Sequence, residues 1–359
     1  MQCFVLDVIF FLEGLCHGFI RSAGRVCFFI LLFASLGAQA AVPRRVILLQ
    51  SFGRQFDPFT TFTADFRLEL AQLSPEPVDF YDVALATARF DDSDEAPFVD
   101  YLRALFKDRP VDLVVPMGGP AVRFAQKYRP RLFPEVPMLL SSVDQRMLQN
   151  AVLSPRDAVV AVRHEPRLYV ESILRLLPNT TNIVIVWGNS PLERFWTDEF
   201  ERTIKEIGHG VGSEHFRQLS FEEMKSRAAH LPPHSAIFFG GILLDARGIP
   251  QTGDALQTLS AAANAPMFGL HDYQLGQGIV GGPLVSIREL SQQSALAAVR
   301  LLRGEAPASV RPPPAGHARP TYDWRELRRW QIPLASLPPG ALIQFREPTP
   351  WDRYKWHIV

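Results

Sequence analysis

The chain has 359 residues, which is long enough for two lobes that each bury a core of their own. Its composition, with 47% hydrophobic and 21% charged residues, is that of a soluble globular protein. The 37 basic residues balance the 37 acidic ones, so no excess of positive charge is present to bind a polyanion, and we expect no nucleic-acid partner.

Residues 1–40 have the features of a signal peptide for export. The apolar run Val26–Leu36 follows two arginines and is too short to span a membrane comfortably. Ala38-Gln39-Ala40 then supplies the small residues of a cleavage site. The preceding stretch Phe4–Leu15 is also apolar but contains two acidic residues, which leaves the true start of the protein open. We expect a periplasmic protein, with a membrane tether as the alternative.

The cysteines support this interpretation, since all three (Cys3, Cys16 and Cys27) lie in the leader. The mature chain is therefore expected to have neither a disulfide nor a thiolate, which suits an oxidising compartment. A two-lobed racemase that uses a pair of cysteines is excluded for the same reason.

The first half of the chain alternates between strand and helix patterns. An amphipathic helix is predicted at Phe59–Leu73, a second helix at Phe98–Phe106, and a third that begins at Pro120. Such alternation predicts a parallel sheet wrapped by helices. The predicted strands are Arg44–Gln50, Val78–Val83, Asp112–Pro116, Val136–Leu140 and Ala158–Val162.

A second series of the same kind follows. Its predicted helices are Pro166–Leu177, one that runs to about Ile207, and Phe221–His230; its predicted strands are Asn182–Trp187 and Ser235–Phe239. The strand at Ala265–Leu270 is expected to return to the first lobe, and Ser286–Leu302 is predicted to be a long helix. Two tandem series indicate two similar lobes with a cleft between them.

Three of these strands end in glycine turns, at Gly118-Gly119, Gly188-Asn189-Ser190 and Gly240-Gly241. A turn of this kind leaves main-chain N–H groups free at the carboxyl end of a strand, where open α/β sheets bind anions and small ligands. Any strand–helix unit needs such a turn, so a purely structural role remains the alternative. The threefold recurrence favours a ligand site.

At this point the sequence resembles the periplasmic substrate-binding proteins of ABC transporters, in the branch related to aromatic-amino-acid binders. The resemblance covers roughly residues 44–345. Gln145 replaces a proline of that family. Gly119 stands where the family has threonine, and Phe239-Gly240-Gly241 matches no pattern tied to a known ligand, so the identity of the solute does not carry over. The stretches that carry the resemblance are Gly118-Gly119-Pro120-Ala121, Val136–Asp144, Leu176-Leu177-Pro178 with Asn182–Trp187, Ser291–Pro307, and Tyr322–Ile332 with Leu337-Pro338-Pro339.

The resemblance implies an α/β, two-lobed periplasmic-binding-protein-like fold of type I, each lobe a parallel sheet flanked by helices. We expect lobe 1 to comprise residues 41–163 and 265–304, and lobe 2 to comprise residues 164–264 and 320–345. Residues 305–319 would form a proline-rich crossover, and residues 346–359 a tail or stem.

If the two lobes close on a solute, polar groups at the strand ends should line the cleft. The N–H groups of Gly119 and Ser190 would suit a carboxylate. Asp272 would pair with an amino group, and Phe52 or Tyr273 would cover an apolar body. Ser190 as a helix cap, and Asp272 as a cap or a turn stabiliser, are the structural alternatives. The full predicted set is Ser51, Phe52, Gly118, Gly119 and Ser142 in the first wall, Asn189, Ser190, Gly240 and Gly241 in the second, and Asp272 and Tyr273 near the hinge.

Signatures of enzymes and metal sites are missing from the sequence. It has no G-x-S-x-G elbow, no Walker loop and no H-E-x-x-H pair. His164-Glu165 is a polar pair at a strand end, and Asp91–Glu95 lacks the glycine and glutamate spacing of a calcium loop. We therefore expect no catalytic residue, metal or cofactor. Four further histidines, expected at the solvated surface, are His209, His215, His230 and His234.

The function expected from this reasoning is capture of a small organic solute, amino-acid-like or related, for an ABC permease. The first alternative is a sensing module of a membrane histidine kinase, because the sequence also resembles the extracellular sensing domains of some bacterial histidine kinases, in which a membrane helix follows a stem like Pro350–Trp356. The aromatic and basic residues of Trp351–Trp356 are typical of a membrane interface, with a tail packed on lobe 2 as the structural alternative. The second alternative is an enzyme on the same scaffold.

Overall fold

The computed structural model describes residues 42–52, 56–85, 95–149, 152–208, 210–251 and 253–346. The predicted signal peptide with its three cysteines, most of the acidic loop at 91–95, His209 and the tail from residue 347 lie outside these ranges. The corresponding predictions are not addressed by the structure.

The first sheet has five parallel strands in the order β2-β1-β3-β4-β5. Its residues alternate between two buried faces, as the side-chain period of a strand requires. Val46 and Leu48 pack on one face, and Ile47 and Leu49 pack on the other. The strands are β1 (Arg44–Gln50), β2 (Val78–Ala84), β3 (Leu113–Met117), β4 (Met138–Asp144) and β5 (Asp157–Val162). The helices of this part of the chain are α1 (Phe59–Leu73), α2 (Ala96–Phe106), α3 (Gly119–Leu132) and the single turn α4 (Gln145–Leu148).

The second sheet has four parallel strands in the order β7-β6-β8-β9. Ile183 and Ile185 face one helical layer, and Val184 and Val186 face the other. The strands are β6 (Asn182–Trp187), β7 (Gly212–His215), β8 (Ser235–Gly241) and β9 (Met267–Gly269). The helices are α5 (Pro166–Leu176), α6 (Pro191–Ile207), α7 (Phe221–Ala228) and α8 (Ala255–Ala262). Two parallel sheets, each covered by helices, confirm the predicted α/β, two-lobed fold class.

One predicted strand belongs to the other lobe. The expectation that Ala265–Leu270 returns to the first lobe is wrong, because β9 pairs in parallel with Ile237–Phe239 of β8. The run APMFGL is short and apolar, and such a run fits the buried edge of either sheet. The return to the first lobe occurs later, through α9 (Ile287–Leu302), which packs against α1.

The chain crosses between the lobes three times, at residues 163–165, 270–286 and 316–320. Before the third crossing, Val310 and Ala315 hydrogen-bond to the backbone of β5 along the edge of the first sheet. The strand β11 (Thr321–Asp323), which follows this crossing, pairs with the earlier strand β10 (Gly281–Gly282) and with β12 (Leu342–Gln344) in a small mixed sheet, and the helix α10 (Trp324–Arg329) follows β11. Among the described residues, no helix is both long enough and apolar enough to cross a membrane.

A buried ion pair provides a test of the first lobe. Arg129 of α3 pairs with Asp157 at the start of β5, and the two side chains are only 12% and 1% exposed. We expect Arg129→Ala to lower the free energy of unfolding by about 3 kcal/mol, because it leaves a buried carboxylate without its partner.

The matched control lies two residues further along the same helix. Arg131 pairs with Asp100, and both side chains are largely exposed. Arg131→Ala should therefore change stability by less than about 1 kcal/mol. Urea titrations of both variants measure the difference, and equal losses would contradict the assignment.

Candidate functional site

A cleft lies where the carboxyl ends of the two sheets face each other. It encloses about 780 Å³, including its opening to solvent, and residues of both lobes line it. Six of the predicted residues line this cleft: Phe52, Gly118, Gly119, Ser142, Ser190 and Gly240.

The first-lobe wall is aromatic. Phe52, Phe56 and Phe59 form a cluster with ring centroids 5.4–6.4 Å apart. Gly118 has a φ of +83°, and a Cβ at this position would lie 2.9 Å from the Phe59 ring. The glycine turn after β3 therefore lets this cluster sit directly against the end of the strand.

Ser142 lies on the same wall in an unusual conformation. Its φ is +52°, in the left-handed region, at a β-bulge where the register between β4 and β5 shifts. Bulges redirect side chains, and left-handed non-glycine residues are concentrated at functional sites. This conformation makes Ser142 a strong candidate for a polar contact with a ligand.

The second-lobe wall carries two tryptophans. Trp187 at the end of β6 and Trp196 of α6 lie with centroids 6.4 Å apart and planes 20° from parallel. Gly240 of β8 sits beneath Trp187, where a Cβ would overlap the indole ring. The third glycine turn thus accommodates an aromatic side chain of the wall.

The turn between β6 and α6 is closed by a capping box. The Ser190 hydroxyl accepts from the Glu193 N–H, and the Glu193 carboxylate accepts from the Ser190 N–H at 2.9 Å. The same carboxylate also accepts N–H groups from Gly188 and Leu243. Burial raises the pKa of Glu193, and these donors oppose the rise because they favour the ionised form. The Ser190 N–H, which the sequence predicted as a donor to a solute carboxylate, thus donates to Glu193 in this structure.

Charged groups meet where the first crossing leaves β5. His164 Nδ1 lies 3.0 Å from Asp144 Oδ2, and its Nε2 lies 3.5 Å from Nε2 of His271. Although burial opposes ionisation, hydrogen bonds from His164 and Arg146 hold the pKa of Asp144 well below its usual range. Arg146 also donates to Glu199 of α6 at 3.0 Å and lies 4.7 Å above the Trp196 ring.

Five predicted residues lie outside the main cleft. Ser51 is fully buried, where its hydroxyl donates to the Met117 carbonyl and accepts from the Ala121 N–H. Asp272 caps α9 by accepting from Ser286 Oγ and the Ile287 N–H, as the structural alternative expected. The Asn189 N–H donates to the Leu244 carbonyl, and the Asn189 carbonyl accepts from the Arg194 guanidinium. Gly241 and Tyr273 line a smaller adjoining cavity with Phe56.

The sequence reasoning missed several lining residues. Of these, Glu193 could have been identified from the sequence, since Ser190-x-x-Glu193 has the spacing of a capping box. The others could not, because their orientation depends on how helices and loops pack. They are Phe56, Pro58, Phe59, Asp144, Met147, Val162, His164, Trp187, Leu192, Trp196, Leu243, Leu270, His271, Val285, Ile287 and Leu290.

No protein-family model matches this sequence, and no curated protein does so either. Solved structures do match. An ABC protein from Streptococcus pneumoniae in complex with L-Trp is 17% identical, with 84% of this chain and all of the other chain covered and a TM-score of 0.59. A conserved domain protein from Vibrio cholerae is 15% identical at the same coverage, with a TM-score of 0.60.

A ligand-free, open substrate-binding protein with adhesive properties from Clostridium difficile is 13% identical. It aligns over 85% of this chain and all of its own, with a TM-score of 0.56. At identities of 13–17%, the similarity to these structures establishes the fold. The chain has the two-lobed α/β fold of substrate-binding proteins of type I, so the resemblance found in the sequence is confirmed at that level.

The third crossing yields a prediction about pH. The His317 ring lies 5.0 Å from Tyr169, and its Nε2 is buried without a hydrogen-bond partner among the described residues. Burial, assisted by the charges of His164 and Arg163, lowers its pKa to about 4. The unfolded chain binds this proton near pH 6.5, so the stability due to neutral His317 is complete above that pH and is lost as the pH falls toward 4.

We therefore expect His317→Gln to reduce the loss of stability between pH 7 and pH 5 by about 1 kcal/mol, after allowance for partial solvent exposure. Thermal unfolding of wild type and variant at pH 7 and at pH 5 measures this loss of stability. The matched control is His230→Gln, since His230 is exposed on α7's carboxyl side. An equal acid response in wild type and His317→Gln would refute the prediction.

Proposed function

We propose that this chain is an exported binding protein that captures a small organic solute between its lobes and delivers it to an ABC permease. The observation that carries the proposal is the pair of aromatic walls, three phenylalanines from the first lobe and two tryptophans from the second, on opposite sides of one cleft. Such walls hold the body of a ligand, and a few polar groups orient it.

The polar groups in the cleft support binding without turnover. Asp144 is paired with Arg146 and His164, and Glu193 is bonded to three main-chain N–H groups. Side chains held in this way fix the shape of a site. A bound solute should therefore be recovered chemically unchanged.

The direct test is native mass spectrometry of the purified protein, followed by calorimetry with whatever small molecule co-purifies. A bound species that dissociates on denaturation supports the proposal. Recovery of no bound species, together with no response to a panel of amino acids and small aromatic compounds, would refute it.

Trp196 should contribute strongly to this binding. Trp196→Ala removes one face of the second-lobe wall, so we expect the Kd of the co-purifying solute to rise by about 10- to 100-fold. Trp330→Ala is the matched control, because Trp330 is a partly buried tryptophan of the second-lobe core outside the cleft lining. Equal effects of the two variants on Kd would contradict the assigned wall.

Closure of the cleft should depend on Arg146, because it joins α4 of the first lobe to Glu199 of the second. We expect Glu199→Gln to weaken solute binding by about 3- to 10-fold, mainly through faster dissociation. Stopped-flow release measures this, with Glu171→Gln as the control, since Glu171 makes an exposed pair with Arg167. Unchanged release from Glu199→Gln would exclude the link as a closing contact.

A further inference from the structure

We propose that the cleft selects flat solutes that present a neutral or cationic group to the second lobe, because Glu193 already fills the anion-binding site of that wall. This inference rests on the proposed function and names the class of solute for the same cleft.

The carboxylate of Glu193 lies where main-chain donors from two segments converge. Its Oε1 accepts the N–H of Gly188 at 3.1 Å and also the N–H of Leu243. Its Oε2 accepts the N–H of Ser190 at 2.9 Å. The residue is only 4% exposed, yet it forms part of the cleft lining.

Three converging N–H groups at the start of a helix are the arrangement that binds the carboxylate of a ligand. Here the anion is part of the chain. A solute carboxylate approaching the same wall would find these donors occupied by Glu193 and would lie in a water-poor site without a hydrogen-bond donor, where an unpaired anion is strongly disfavoured.

The turn is shaped around this internal anion. A Cβ at Gly188 would lie 2.6–2.7 Å from the two Glu193 oxygens and 2.3 Å from the Leu244 carbonyl. Only glycine therefore lets the turn after β6 close around Glu193. This close fit argues that Glu193 is a fixed part of the wall.

The remainder of the cleft is consistent with such a solute. The aromatic faces of Phe52, Phe56 and Trp187 favour a flat ring, and they also attract a cation. The nearby cation Arg146 is paired with Asp144 and Glu199, so its charge is compensated.

The first experiment tests the internal anion directly. Glu193→Ala should free the three donors, so sodium formate should raise the Tm of this variant by several degrees more than sodium chloride at equal ionic strength. Glu223→Ala is the matched control, since Glu223 closes a capping box with Ser220 at the start of α7 and is not part of the cleft lining. Formate should shift neither Glu223→Ala nor wild type, and absence of a formate-specific shift in Glu193→Ala would overturn the proposal.

The second experiment tests selectivity with phenethylamine, phenylacetamide and phenylacetate as probes in calorimetry. Wild type should bind the amine or the amide at least about 10-fold more tightly than the acid, a difference of about 1.4 kcal/mol. Glu193→Gln keeps the volume of the side chain but removes its carboxylate, so it should bind phenylacetate more nearly as tightly as the amine or the amide. If Glu193→Ala fails to fold, Glu193→Gln is the variant that tests the role of Glu193. Binding of phenylacetate by wild type as tight as that of phenylacetamide would overturn the proposal.

The two proposals fail in different ways. Absence of any bound solute in wild type would refute solute capture, whereas the formate response of Glu193→Ala would still establish the internal anion. Conversely, a co-purifying solute whose carboxylate is required for binding, combined with no formate response, would refute the selectivity and leave solute capture intact.

Discussion

The geometry of the cleft depends on the guanidinium group of Arg146. It donates to Asp144 at the end of β4, to the carbonyl oxygen of His164 in the first crossing, and to Glu199 of α6. Its flat face also covers Trp196. One planar, permanently charged group with several donors can satisfy all of these partners at once, which an ammonium group could not do with the same geometry. The two lobes and the first crossing between them therefore share one charged group beside the candidate site.

Each glycine turn at the cleft leaves room for a large side chain from a neighbouring segment. Gly118 makes room for Phe59, Gly240 for Trp187, and Gly188 for Glu193. In each case the missing side chain is replaced by a bulky group from a neighbouring segment. The strand ends therefore offer few bare main-chain donors, and the surface that they present to the cleft is largely aromatic.

The sequence predicted the secondary structure that surrounds the cleft well. Short apolar runs such as Ile183–Val186 and the glycine turns located the strand ends, because parallel strands buried on both faces leave a strong local pattern. β9 was assigned to the wrong lobe, since three apolar residues carry no information about which sheet accepts them. Phe56, Trp196 and His271 were missed as a site because their convergence depends on the packing of the lobes, which local periodicity does not encode.

The proline-rich segment before the third crossing has a consequence for association between molecules. β5 is the outermost strand of the first sheet, and an open edge of this kind exposes unpaired N–H and C=O groups to strands of other chains. Val310 and Ala315 bond to that edge, and between them lie three consecutive prolines, 312–314, which have no N–H to offer a further strand. The segment thus covers the edge of the first sheet, so that strands of other molecules cannot readily pair with β5.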